Sequence, residues 1–125
     1  MMYALLVAIG GAIGSVLRYY VGQWAAKLMG PAFPWGTLAV NVVGCFAIGV
    51  LAELIAQRFN NSIELRLLLM TGILGGFTTF SSFSLDAAML FERGQLFAGS
   101  IYIIASFGVS MAGVVAGLAL MRALA

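Results

Sequence analysis

The chain has 125 residues, of which 63% are hydrophobic and 8% charged, and its formal net charge is +2. So few charged side chains cannot clothe a soluble domain of this length, and so small and scattered a positive excess offers no basic patch for nucleic acid. There is no His, which excludes a Ser–His nucleophile and a histidine metal site.

Long stretches without Asp, Glu, Lys or Arg run over residues 1–17, 28–52, 67–85 and 94–121. A helix needs about 20 apolar residues to cross a hydrocarbon core, so four such stretches use nearly the whole chain. Residues 1–125 therefore read as a single four-helix transmembrane domain in a lipid bilayer. The first stretch lacks the basic start of a signal peptide and is kept as a span. Asp86 is the only Asp, and Glu53, Glu64 and Glu92 fall near predicted loops. Neither an aspartyl dyad nor any other catalytic site is expected, and the lone Cys45 reads as a small packing residue.

Span 1 is predicted from about Tyr3 to Trp24. Gly30, Pro31 and Pro34 mark a turn, and span 2 follows from about Trp35 to Ala56. A polar loop with Arg58, Asn60, Asn61, Ser62 and Glu64 leads to span 3, about Leu65 to Phe91. The linker Glu92-Arg93-Gly94-Gln95 leads to span 4, about Leu96 to Met121. Three GxxxG pairs, Gly10/Gly14, Gly72/Gly76 and Gly113/Gly117, predict close helix packing.

Four spans put both termini on one side of the membrane. That side carries Arg58, Arg66 and Arg122; the other carries Lys27 and Arg93, plus Arg18 if its side chain reaches that surface. Orientation follows the Lys/Arg asymmetry, and here the bias is zero, or one without Arg18. The expectation is dual topology, with oppositely inserted copies forming an antiparallel homodimer about a two-fold axis in the membrane plane.

Polar groups at membrane depth mark function. The stretch Gly72-Ile73-Leu74-Gly75-Gly76-Phe77-Thr78-Thr79-Phe80-Ser81-Ser82-Phe83-Ser84 straddles the middle of span 3. Adjacent glycines followed by two threonines make a poor helix, so the third helix is expected to be broken near Gly75–Thr78. Carbonyls freed there either bind something or are satisfied by neighbouring hydroxyls. Phe80 and Phe83, three apart, share a face with Phe77 if the segment is helical; their positive ring edges suit an anion, and ordinary packing is the alternative. Tyr102, Ser106 and Ser110 align hydroxyls at i, i+4 and i+8 along span 4, and Thr37 and Asn41 do the same on span 2. Dipoles in series let an anion pass where a full charge would trap it.

The segments GGAIGSVLRYY (10–20), WGTLAVNVVGCFAIG (35–49) and GILGGFTTFSSFS (72–84) together resemble the Fluc family of fluoride channels, also called CrcB. The resemblance implies passive, fluoride-selective conduction out of the cytoplasm across the cell inner membrane, by an antiparallel dimer with two pores and a central structural sodium ion. It further implies that Phe80 and Phe83 line the pore and that Asn41 donates to the anion. Tyr102, Ser106 and Ser110 would form the polar track, the carbonyls of Gly75 and Thr78 would hold sodium, and Arg18 would draw anions to a vestibule; Thr37, aligned with Asn41, stays a pore candidate by its spacing. Snorkelling toward the surface is the alternative for Arg18. Ser15 and Ser82 replace a frequent Ala and Thr without loss of size or hydrogen bonding. Asp86 stands where the family commonly has Glu, which leaves its role open. The nearest rival is a small proton-coupled multidrug-type exporter, which needs a carboxylate in the first span; residues 1–24 have none. An accessory subunit without transport would need no aligned polar tracks.

Overall fold

The structure, a computed structural model, describes residues 1–124. They form four helical spans long and apolar enough to cross a membrane: Met2–Met29, Trp35–Arg58, Ile63–Glu92 and Leu96–Leu124. The loops are set by local chemistry. Gly30, at φ 79°, receives the chain after its N–H bonds to Ala26 O at 3.0 Å. Pro31 and Pro34 then keep the connection out of helix. The second turn rests on Asn60 and Asn61, at φ 52° and 55°, a left-handed pair that Asn tolerates better than most residues. Ser62 Oγ accepts from Leu65 N at 3.3 Å and starts span 3. Gly94, at φ 77°, makes the last turn.

Span 1 is longer than predicted. It runs through Lys27 to Met29, because Ala25, Ala26 and Leu28 favour helix and nothing stops it before Gly30. Span 3 is irregular in two places. Arg66–Leu74 forms nine residues of π-helix, with Gly75 N bonding to Met70 O as well as Gly72 O. Further on, Thr78 (φ −90°, ψ 160°) and Thr79 (φ −156°, ψ 123°) are extended between the helical Gly75–Phe77 and Phe80–Glu92.

Glycines let the backbones meet. A Cβ on Gly72 would lie 2.9 Å from Gly10 Cα, so span 1 and the π-helical part of span 3 touch main chain to main chain. Span 2 and span 4 do the same, where a Cβ on Gly49 would lie 3.2 Å from Gly117 Cα. Ala87, Leu90 and Tyr102 form the buried core, with Phe33, Leu38, Phe83 and Ala98 packed around it. Little else is covered: in the most apolar stretch of each span, 11% of residues in spans 1, 3 and 4 and 22% in span 2 are buried. The remaining apolar surface has to be covered by lipid or by another protein chain.

Candidate ion pathway

Two cavities flank the extended pair in span 3. The first, of about 390 Å³, is walled by Asn41, Cys45, Thr78, Thr79, Phe80, Phe83, Ile103, Ser106, Phe107, Ser110 and Met111. It therefore joins span 2, the middle of span 3 and span 4. The second, of about 380 Å³, holds Ser15, Arg18, Tyr19, Gln23, Thr37, Thr79 and Ser82 among its walls. Thr79 borders both.

The hydroxyl track of span 4 points inward. Tyr102 is fully buried and Ser106 is 6% exposed. The Tyr102 hydroxyl donates to Asp86 Oδ2 at 3.3 Å. The Ser106 and Ser110 hydroxyls are buried without any hydrogen-bond partner, although a helical Ser commonly bonds back to its own main chain. A buried hydroxyl left unpaired costs about 1–3 kcal/mol, so two in one cavity wall are unexpected for mere packing. Phe80 and Phe83 face the same space, with ring centroids 5.7 Å apart and planes tilted by 48°. Phe83 also packs on Tyr102 at 5.2 Å. Phe77 is not among the walls of this cavity, since two extended residues separate it from Phe80 and cancel the helical i+3 register.

Polar side chains from two other spans serve the main chain of span 3. Asn41 Nδ2 donates to Thr79 O at 2.9 Å, and Thr79 N donates to Asn41 Oδ1 at 2.7 Å. Arg18 Nε donates to Gly76 O at 3.0 Å. Within span 3, Thr78 Oγ1 donates to Leu74 O at 2.9 Å, and Thr79 Oγ1 accepts from Ser82 N at 3.1 Å. The snorkelling alternative does not describe Arg18. It sits 11 residues before the end of span 1 and is tied to a carbonyl exposed by the neighbouring irregularity.

The family described as CrcB-like protein, Camphor Resistance (CrcB), matches residues 5–118. The chain belongs to the CrcB family. Among CrcB relatives, a protein of Rhizobium etli (strain CIAT 652) is 78% identical over 125 residues, covering all of both chains. One of Agrobacterium fabrum (strain C58) is 66% identical over 122 residues, 98% of each chain. One of Rhodospirillum centenum is 53% identical over 122 residues, 98% of this chain and 97% of the relative. All three relatives carry the name "Fluoride-specific ion channel FluC". With four spanning helices and relatives so named, this CrcB protein is a multi-pass membrane protein.

Several residues of the CrcB chain enter the cavities without having been singled out from sequence. Cys45 continues the Thr37/Asn41 stripe by one more turn. Ile103, Phe107 and Met111 form an apolar stripe at four-residue spacing, one position after Tyr102, Ser106 and Ser110. Both signals were present in the spacing. Ser15, Gln23 and Ser82 join Arg18 in its cavity, while Thr37 borders that cavity rather than the aromatic one. Gly75 is exposed and Thr78 half-buried, both at the surface of the protomer. Among the described residues no cluster of three or more His, Cys, Asp and Glu could hold a metal ion.

Proposed function

We propose that this protein is a fluoride-selective channel that lets fluoride leave the cytoplasm passively across the inner membrane, as an antiparallel homodimer with two pores. The observation that carries the reading is one cavity walled by Ser106 and Ser110, whose hydroxyls are buried without a partner, together with Phe80 and Phe83. The names of the relatives point the same way.

Fluoride is small and strongly hydrated, so a pore must return most of the hydrogen bonding that water gave it. Hydroxyls already stripped of water and of protein partners can do so without first breaking a bond. Phe80 and Phe83 add ring edges, which carry positive quadrupole density. Asn41 keeps one Nδ2 hydrogen beyond the one given to Thr79. No full charge stands in this cavity, and Arg18 lies in the neighbouring one, where it favours entry of an anion without trapping it. Phe80 is 79% exposed in the single chain, and the cavity it lines is open on that side. A second, oppositely inserted copy would close it.

Gly75 and Thr78 suit a structural sodium ion. In a regular helix, Gly75 O would accept from Thr79 N and Thr78 O from Ser82 N. Those two donors are engaged by Asn41 Oδ1 and Thr79 Oγ1 instead. Oxygens released at the protomer surface fit a hard monovalent cation shared with a second copy. When bound, sodium would supply a positive charge that offsets the converging carbonyl dipoles.

Reconstitution in liposomes with a fluoride electrode tests the reading. Rapid fluoride efflux with no matching chloride efflux is expected; equal chloride flux, or none of either, rejects it.

A further inference from the structure

Thr78 and Thr79 are extended inside a 30-residue span, and the side chain that answers their main chain comes from span 2. The Asn41 amide offers a donor and an acceptor in one plane, as a neighbouring peptide group would. It uses both on the same residue, with Nδ2 on Thr79 O at 2.9 Å and Oδ1 on Thr79 N at 2.7 Å. Ser and Thr are too short for this two-way pair, and an ionised Asp can only accept.

We propose that Asn41 is the positioning residue of the pathway: by pairing with both main-chain groups of Thr79, it holds span 3 extended and keeps Gly75 O out of the helical ladder. The same pair forms the wall between the cavity that holds Arg18 and the aromatic cavity, because Thr79 borders both and Asn41 borders the second. Phe80 follows Thr79 directly, so the pair also sets the direction in which the Phe80–Phe83 helix leaves. Without it, the Thr79 N–H has no fixed partner, and the direction of the Phe80–Phe83 helix is no longer set. The weight of this role for transport rests on the channel reading above; its structural readout involves neither ion.

The chain contains four Thr and three Asn, so 15N-threonine labelling gives a sparse set of amide signals. In Asn41→Leu, exchange of the Thr79 amide with solvent deuterium should accelerate about fivefold, the change expected when one net hydrogen bond is lost. Asn41→Asp, which keeps the acceptor, should retain the protection, and Ser106→Ala should leave it unchanged. Unchanged Thr79 exchange in Asn41→Leu would overturn the proposal and leave Asn41 a pore donor only. If the variants do not fold, the wild-type protein still decides. Solid-state dipolar transfer between 13Cγ-asparagine and the 15N of Thr79 must be observed, and its absence refutes the pair. Fluoride efflux and sodium-dependent thermal stability are measured on the same samples. Loss of Thr79 protection with efflux intact refutes the transport role. Absence of any sodium effect in the wild type rejects the cation reading alone.

Discussion

Ser106 and Ser110 present a conflict between stability and use. Each hydroxyl is buried without a partner, and an unpaired buried hydroxyl costs about 1–3 kcal/mol. Removing it should therefore not harm the fold. Ser106→Ala and Ser110→Ala are expected to match the wild type in unfolding free energy or exceed it by about 1 kcal/mol, read by thermal unfolding, while lowering fluoride efflux from liposomes. If both variants lose stability, the hydroxyls have partners in the membrane, and their role as waiting donors fails. The phenylalanines call for a different exchange. Ile keeps most of the volume of Phe80 or Phe83 but has no ring edge. Phe80→Ile and Phe83→Ile should impair conduction and leave assembly intact on size-exclusion chromatography. Currents equal to wild type would show that the rings only fill space. Phe83→Ile also removes a ring that packs 5.2 Å from Tyr102, so a small loss of stability is expected there and not at the exposed Phe80.

Between elements, glycines decide how closely spans approach. The Gly10–Gly72 crossing leaves no room for a Cβ, and the obstructing atoms are main chain, which cannot swing aside. Gly72→Ala should lower stability by roughly 1–3 kcal/mol, the range for overpacking a close contact. Gly11→Ala, where a Cβ meets nothing within 4 Å, should be neutral or gain up to about 1 kcal/mol of helix propensity. Thermal unfolding in detergent separates the two; equal effects would mean that the crossing is looser than described. The existence and order of the four spans were legible because charge is excluded from the hydrocarbon core, and residues 28–52, 67–85 and 94–121 obey that rule. The far end of span 1 was not, because Lys27 made the chain look finished while the helix continued to Gly30. The hydroxyl stripe of span 4 was legible from i+4 spacing. Its apolar companion, Ile103, Phe107 and Met111, has the same spacing one position further along, but apolar residues in a span carry no signal that separates a cavity wall from a lipid face. What holds Thr79 could not be read locally, since its partner Asn41 lies 38 residues away, and Arg18 reaches Gly76 across 58. The π-helix over Arg66–Leu74 has no local signature either; RLLLMTGIL reads as plain helix.

At the scale of the whole molecule, the open aromatic cavity, the proposed cation site at Gly75 and Thr78 and the balance of charge all bear on the second copy proposed above. The sodium reading predicts that replacing sodium by lithium or potassium lowers thermal stability of the wild type, whereas equal midpoints in all three salts reject it. The orientation argument is sharper. With Arg18 held by Gly76 inside the bundle, the terminal side counts Arg58, Arg66 and Arg122 against Lys27 and Arg93, a bias of one residue. On the proposed antiparallel reading, so small an asymmetry leaves insertion undecided, and a few added charges should decide it. The substitutions Ala123→Lys and Leu124→Lys, at exposed positions on the terminal side, should drive nearly all copies into one orientation. Glu92→Lys with Gln95→Lys, at exposed positions on the other side, should drive them into the opposite one. If the working unit is an antiparallel pair, each biased protein expressed alone should fail to protect a fluoride-sensitive cell, and the two expressed together should restore protection. A single biased protein that protects fully on its own, with its terminus shown by labelling to lie on one side only, would mean that one orientation suffices and that the cavity lined by Phe80 is closed by some other surface.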